Sequence, residues 1–201
     1  QYALEGKLVV RLKGGDVSIF SNILDELEAL VEHHIAYEIV PGVTAALGAA
    51  AYGGIPLTAR NYATAVRFLT YYKSDVVTEA YWKELAQTDD TLVFYMSAET
   101  LGSVVHHLTK NGIDAAKGLA VIEQATTPLQ KVHTCSLYDY QKVMGDRKLA
   151  SPSIVIVGKV VSLHQQFNWL PNEVTTTEEY FKSYVPQIQK VAFLKEALLK
   201  A

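Results

Sequence analysis

Apolar residues along this chain come in short runs broken by glycine, proline or polar turns, and the runs alternate between strand-like and helix-like spacing. Leu8-Val9-Val10-Arg11-Leu12 predicts a short buried strand that stops at the turn Lys13-Gly14-Gly15-Asp16. From about Asn22 to His34, Ile23, Leu27, Leu30 and Val31 recur on one face, with Asp25 and Glu26 in the first turn. That pattern predicts an amphipathic helix. Tyr37 to Val40 reads as the next strand, stopped by Pro41-Gly42. Thr44 to Tyr52 is rich in alanine and glycine and closes at Gly53-Gly54. Such composition predicts a tightly packed helix whose small side chains let another backbone, or a ligand, come close.

A second block begins near Ile55-Pro56. Strands are predicted at Val66 to Tyr72, Thr91 to Met96, Leu119 to Glu123, Gln130 to Cys135 and Ser153 to Val157. Helices are predicted from Thr78 to Ala86, with Thr78 as cap, and from Glu99 to Lys110, ahead of Asn111-Gly112. The alternation is that of an α/β protein, with mixed sheets in the second block. Glu178 to Lys200 reads as an amphipathic helical tail interrupted at Pro186. The predicted division is 1–56 for a first α/β unit, 57–172 for a second and 173–201 for the tail.

Composition narrows the class without naming a function. The chain has 201 residues, 49% of them hydrophobic and 19% charged, as in ordinary globular domains. A formal net charge of -3 gives no basis for binding nucleic acid or an anionic membrane surface. No stretch approaches the roughly 20 apolar residues of a membrane span. Cys135 is the only cysteine, which excludes an internal disulfide framework and fits a reducing, cytoplasmic setting. Gln1 is no initiator, and the chain enters a strand almost at once, so further sequence upstream is expected.

Two turns carry the candidate chemistry. Gly14-Gly15-Asp16 directly follows a predicted strand, where open α/β sheets hold ligands. Glycines there allow close backbone approach, and the Asp16 carboxylate can hold a hydroxyl or amino group; the plain alternative is a tight turn. Pro41-Gly42-Val43-Thr44-Ala45-Ala46 repeats the arrangement, with Thr44 equally suited to cap the helix. A ligand lying across both turns would explain the pair. Arg60 and Arg67 flank Tyr62 near the predicted boundary, suited either to carboxylate recognition or to a charged loop. His33-His34 and His106-His107 are adjacent pairs on helices, so their side chains diverge, and solvated helix faces are expected rather than a metal site. Cys135, in an apolar strand, is expected to be buried and inert.

Six segments in order carry a resemblance. They are Val9 to Asp16 with Ile19-Phe20; Val40 to Ala46; Gly54 to Thr58 with Arg60, and Val66-Arg67-Phe68; Thr91 to Met96; Glu123 to Pro128; and Ser151-Pro152 with Val157-Gly158. Together they resemble the tetrapyrrole methylase family, and within it the uroporphyrinogen-III C-methyltransferase branch, over roughly Leu8 to Trp169. The resemblance implies a fold of two α/β domains with the cofactor in the cleft between them, the first domain being incomplete here. It implies S-adenosyl-L-methionine as cofactor, S-adenosylhomocysteine as its product, a tetrapyrrole substrate, no metal, and a homodimer. By position, Gly14, Gly15, Asp16 and Ile19 would form one cofactor wall and Thr44 and Ala45 the second, with Met96 and Ala125 from the other domain. Arg60 and Arg67 would meet substrate carboxylates.

Some positions depart from the family pattern. Val17-Ser18 stands where the family has proline and an aromatic residue, and Ser21-Asn22-Ile23-Leu24 replaces a glycine-rich run. The family's opening Gly-x-Gly-Pro-Gly-Asp turn and its acid/base residues have no counterpart in this chain, so no catalytic residue is assigned. The competing expectations are a non-catalytic dimerising or cofactor-binding module and a methylase of another precorrin.

Overall fold

The computed structural model of the protein describes residues 1–71, 77–145, 147–170 and 180. Its centre is a five-stranded sheet: β1 (Val66–Thr70), β2 (Thr91–Tyr95), β3 (Gly118–Glu123), β4 (Lys131–Ser136) and β5 (Ser153–Gly158). The spatial order is β1-β2-β5-β3-β4. β1 and β2 are parallel, and every other neighbouring pair is antiparallel, so the sheet is mixed as predicted.

The three inner strands are continuous apolar runs because both sheet faces are covered. Leu92, Phe94, Leu119, Val121, Val155 and Val157 point to one face, where Trp82, Leu85, Val104 and Leu108 close over them. Those last four come from α3 (Glu79–Gln87) and α4 (Leu101–Lys110). Val93, Tyr95, Ala120, Ile122, Ile154 and Ile156 point to the other face and meet Ala46, Ala49 and Ala50 of α2 (Ala45–Tyr52). The period-two alternation thus divides each strand between two cores. Full burial of a side chain such as Leu92 or Phe94 contributes ~1.5–3 kcal/mol.

Helix ends follow the sequence signals. Thr78 accepts the Tyr81 amide at 3.3 Å and caps α3 as expected. α2 ends with Gly54 at φ +60, the Ile55 amide on the Ala50 carbonyl at 2.9 Å and the Gly54 amide on Ala51 at 3.3 Å. The Gly53 carbonyl also meets His164 Nδ1 at 2.6 Å, and the Ala51 carbonyl accepts the Trp169 indole at 2.9 Å. These bonds bind the segment around α6 (His164–Phe167) to the end of α2.

The first forty residues differ from expectation. Leu8–Leu12 and Tyr37–Val40 form no strand, and Leu8, Leu12 and Val40 are 95%, 81% and 73% exposed. An apolar run becomes a strand only where a neighbour takes its backbone groups and another layer covers its side chains. Neither is supplied among the described residues. α1 (Leu24–Glu32) forms within the predicted helix, but none of its residues is buried. Lys13 fastens it to the preceding turn, reaching Glu26 at 2.6 Å and the Ser21 carbonyl at 3.0 Å.

His107 is not on a solvated face, because its ring stacks on Trp82 at 4.8 Å. Cys135 is half-buried, and burial together with Asp139 pushes its thiol up to about 11. α5 (Tyr140–Met144) follows β4 on the same side as α4. The predicted tail from Glu178 to Lys200 lies, apart from Tyr180, outside the described residues. Among the described residues no helix is long and apolar enough to cross a membrane.

Candidate cofactor cleft

β1, β2 and β3 run in the same direction, so Thr70, Tyr95 and Glu123 mark one end of the sheet. Just past that end the backbone enters the left-handed region at non-glycine residues: Met96 at φ 52, Gln124 at φ 47 and Thr126 at φ 68. Such conformations persist only where surrounding structure holds them, and they concentrate at functional sites. Met96 is exposed and Ala125 half-buried.

The two turns meet at this end. Asp16 Oδ2 accepts the Gly42 amide at 2.8 Å, while Oδ1 accepts the Ser18 amide at 2.9 Å and the Ser18 hydroxyl. The Ser18 hydroxyl first, then the Gly42 and Ser18 amides, hold the Asp16 carboxyl below the usual carboxylate range. Ser18, one of the departures from the family pattern, therefore makes its own bond to the loop carboxylate.

Glycine is required where the turns touch. A Cβ on Gly42 would stand 2.3 Å from the Gly15 carbonyl oxygen, and Gly15 has φ +71 with Val43 O at 3.4 Å from its Cβ position. A Cβ on Gly14 would meet nothing within 4 Å. That open face lets a ligand approach the backbone, so the donor set fits a group held by main-chain contacts.

Tyr95 joins the turns to the sheet. Its hydroxyl lies 2.7 Å from Thr44 Oγ1 and accepts the Ala46 amide at 3.1 Å. Phe20 packs on the ring at 5.0 Å between centroids and Phe68 at 5.9 Å. Thr44 supplies no side-chain cap to α2, so the Tyr95 hydroxyl takes up one of the free amides of that helix start. A Cβ on Gly48 would lie 3.3 Å from Thr126 Cγ2, which puts α2 directly against the loop holding Ala125. Gln130 braces that loop, accepting the Thr126 amide at 2.8 Å and donating to the Tyr52 carbonyl at 3.2 Å.

Gly15 and Asp16 are thus brought against Gly42, Thr44 and Ala45 at the start of α2, with Gly14 and Ile19 flanking the first turn, Met96 next to Tyr95 in sequence, and Ala125 in the loop that faces Gly48. Sequence reasoning gave no site role to Tyr95 and Phe20, which it noted only within segments of the resemblance, nor to Gln130. The signal for Tyr95 was a phenol in an otherwise apolar buried strand, since a buried tyrosine hydroxyl needs a partner.

The two arginines separate. Arg67 sits at the amino end of β1, away from the turns, with Nε 2.6 Å from Asp90 and NH1 2.6 Å from Glu84. These bonds, Glu84 first, raise its pKa further. Arg67 is thereby engaged by two carboxylates at the opposite end of β1 from the turns. Arg60 is exposed, in the loop between α2 and β1. Beside that loop an apolar cavity of about 740 Å³ is lined by Leu47, Leu57, Val66, Phe68, Phe167 and Trp169, among others.

At the far side of the β3 end, buried Glu123 accepts the Ala150 amide and meets His133 Nε2 at 2.9 Å. Burial works to raise its pKa, but the bonds from His133 and Ala150 outweigh it, and the carboxyl stays low. Arg147 lies 3.2 Å from the other His133 nitrogen. The cluster fixes the strand end from which Gln124 to Thr126 depart.

Residues 1–141 match the model of the Tetrapyrrole (Corrin/Porphyrin) Methylases family. The chain is 44% identical over 167 residues to the siroheme synthase of Pseudomonas fluorescens (strain Pf0-1), covering 83% of this chain and 36% of that protein. Against the siroheme synthase of Nitrosomonas europaea it is 41% identical, covering 83% and 35%. The chain therefore spans about a third of the length of these curated relatives. A uroporphyrin-III C-methyltransferase structure from Thermus thermophilus superposes with TM-score 0.67 at 33% identity, over 82% of this chain and 70% of that one. A second structure of the enzyme, complexed with S-adenosylhomocysteine, gives 0.66 at 28%, over 81% and 70%.

Proposed function

Because the chain belongs to the tetrapyrrole methylase family, we propose that the cleft around the start of α2 holds S-adenosyl-L-methionine. We propose further that the protein C-methylates uroporphyrinogen III to precorrin-2, by way of precorrin-1, in sirohaem or cobalamin synthesis. The observation that carries this reading is the Asp16–Gly42 bond, which draws two glycine turns into one backbone-lined cradle past the strand ends.

Bound there, S-adenosyl-L-methionine would supply an electrophilic sulfonium methyl. The open Gly14 backbone, Gly15, Asp16 and Ile19 form one wall; Thr44 and Ala45 form the second; Met96 and Ala125 close the side at the strand ends. A cofactor of this kind needs alignment more than activation, and a rigid main-chain cradle suits that demand. The apolar cavity beside Leu47 and Phe68 suits pyrrole rings, and Arg60 suits the substrate's peripheral carboxylates. The active form is a homodimer in the cytoplasm.

The test is anaerobic incubation of the chain with S-adenosyl-L-methionine and uroporphyrinogen III, followed by mass spectrometry of the tetrapyrrole. One and then two added methyl groups support the proposal. Cofactor binding without methyl transfer would instead make the chain a cofactor-binding module, and transfer to a different precorrin would move the substrate.

A further inference from the structure

Tyr95 ends a buried strand, yet its hydroxyl is the polar contact that the sheet makes with the start of α2 through Thr44 and Ala46. The phenol oxygen accepts the Ala46 amide and lies 2.7 Å from Thr44 Oγ1, an arrangement that lets the phenol donate its own proton to the threonine. When Tyr95 donates to Thr44, the threonine hydroxyl keeps its proton for a further acceptor. Thr44 is buried, but its neighbours Val43 and Ala45 are exposed, so the pair lies just beneath the rim of the cleft. The ring itself is clamped between Phe20 of the first glycine turn and Phe68 of β1.

We propose that Tyr95 is a positioning residue for the cofactor: its hydroxyl sets the Thr44 hydroxyl as a donor toward an acceptor oxygen or nitrogen of the bound group. This inference rests on the cofactor reading of the cleft given above. Three segments converge on this one side chain of β2: the first glycine turn, the start of α2, and β1. A hydroxyl needed only to satisfy a buried helix end would stabilise the fold and leave ligand affinity alone. A hydroxyl that orients Thr44 governs affinity as well.

The experiment is calorimetric titration of the full chain and its Tyr95→Phe variant with S-adenosylhomocysteine, well below the melting temperature of either. The variant keeps the ring and its contacts with Phe20 and Phe68. The expected result is binding weakened roughly tenfold or more, as for a lost buried hydrogen bond that orients a donor. In a double-mutant cycle, Thr44→Val with Tyr95→Phe should weaken binding no more than the worse single change, because both break one chain of bonds. Wild-type binding with Tyr95→Phe within twofold of it would overturn the inference, whatever happened to the melting temperature. A folded wild type that does not bind would overturn the cofactor reading itself. Should Tyr95→Phe fail to fold, Thr44→Val against Thr44→Ser reads the same bond from its other end: Ser must retain affinity and Val must lose it, and equal affinities would overturn the proposal.

Discussion

Asp16 and Gly42 stand 26 residues apart in sequence and are joined by a 2.8 Å bond from the Gly42 amide to the Asp16 carboxylate. The same carboxylate holds Ser18, so one side chain shapes its own turn and pins the second turn to it. The cradle proposed for the cofactor exists because of this bond.

Replacing Asp16 should therefore separate the turns. Asp16→Ala is expected to weaken S-adenosylhomocysteine binding about tenfold or more, with Asp16→Asn in between, since one amide oxygen still accepts a bond. The carboxyl is held low by Ser18 and Gly42, so its bonds are fully present above the ordinary aspartate value of ~3.9 and fail only as pH falls through the lower folded value. Affinity measured from pH 8 down to pH 5 should show no step from this group. A step near pH 5 would contradict the assignment.

Gly14 and Gly42 should respond in opposite ways. Gly42→Ala forces backbone apart at the Gly15 carbonyl and is expected to cost more than ~1 kcal/mol of stability as well as binding. Gly14→Ala meets no atom of the protein, so stability should hold while the methyl group occupies the open face and obstructs the ligand. Chemical denaturation and titration of both variants check the contrast.

The arginines divide in the same way. Arg67→Ala strips Asp90 and Glu84 of their partner and should lower stability by about 1 kcal/mol, the scale of a partly exposed network, while leaving cofactor affinity within twofold. Arg60→Ala should leave stability unchanged and raise the apparent KM for uroporphyrinogen far more than the cofactor Kd. Equal effects of Arg60→Ala on both constants would remove it from the substrate side.

Cys135 gives a pH prediction. Burial and Asp139 raise its thiol to about 11, against an ordinary ~8.5 in the unfolded chain. Above ~8.5 the unfolded chain releases this proton while the folded chain retains it, so stability should fall as pH rises from there toward 11. Cys135→Ser should flatten that limb. At pH 8 alkylation of the folded protein should run on the order of a hundredfold slower than that of the denatured protein.

How far the sequence could be read depended on where each segment's partners lie. β2, β3 and β5 were legible because continuous apolar runs such as Thr91 to Tyr95 need cover on both faces, and α2, α3 and α4 supply it. Leu8–Leu12 carries an equally strong pattern but no strand, because strand formation depends on a neighbour that the pattern cannot reveal. The two turns were legible as a pair from their glycines, yet the bond that joins them was not, since Asp16 reads equally well as a solvated turn residue. The partners of Arg67 were hidden in the same way: Asp90 and Glu84 lie 23 and 17 residues away in sequence, and the β1–β2 pairing brings the first to it and the placement of α3 the second.

The most direct test of the central claim is calorimetric titration of this chain with S-adenosylhomocysteine. The cleft described here predicts saturable binding with a micromolar Kd and one site per chain. A folded sample that gives no binding heat at ligand concentrations on the order of a millimolar would contradict it.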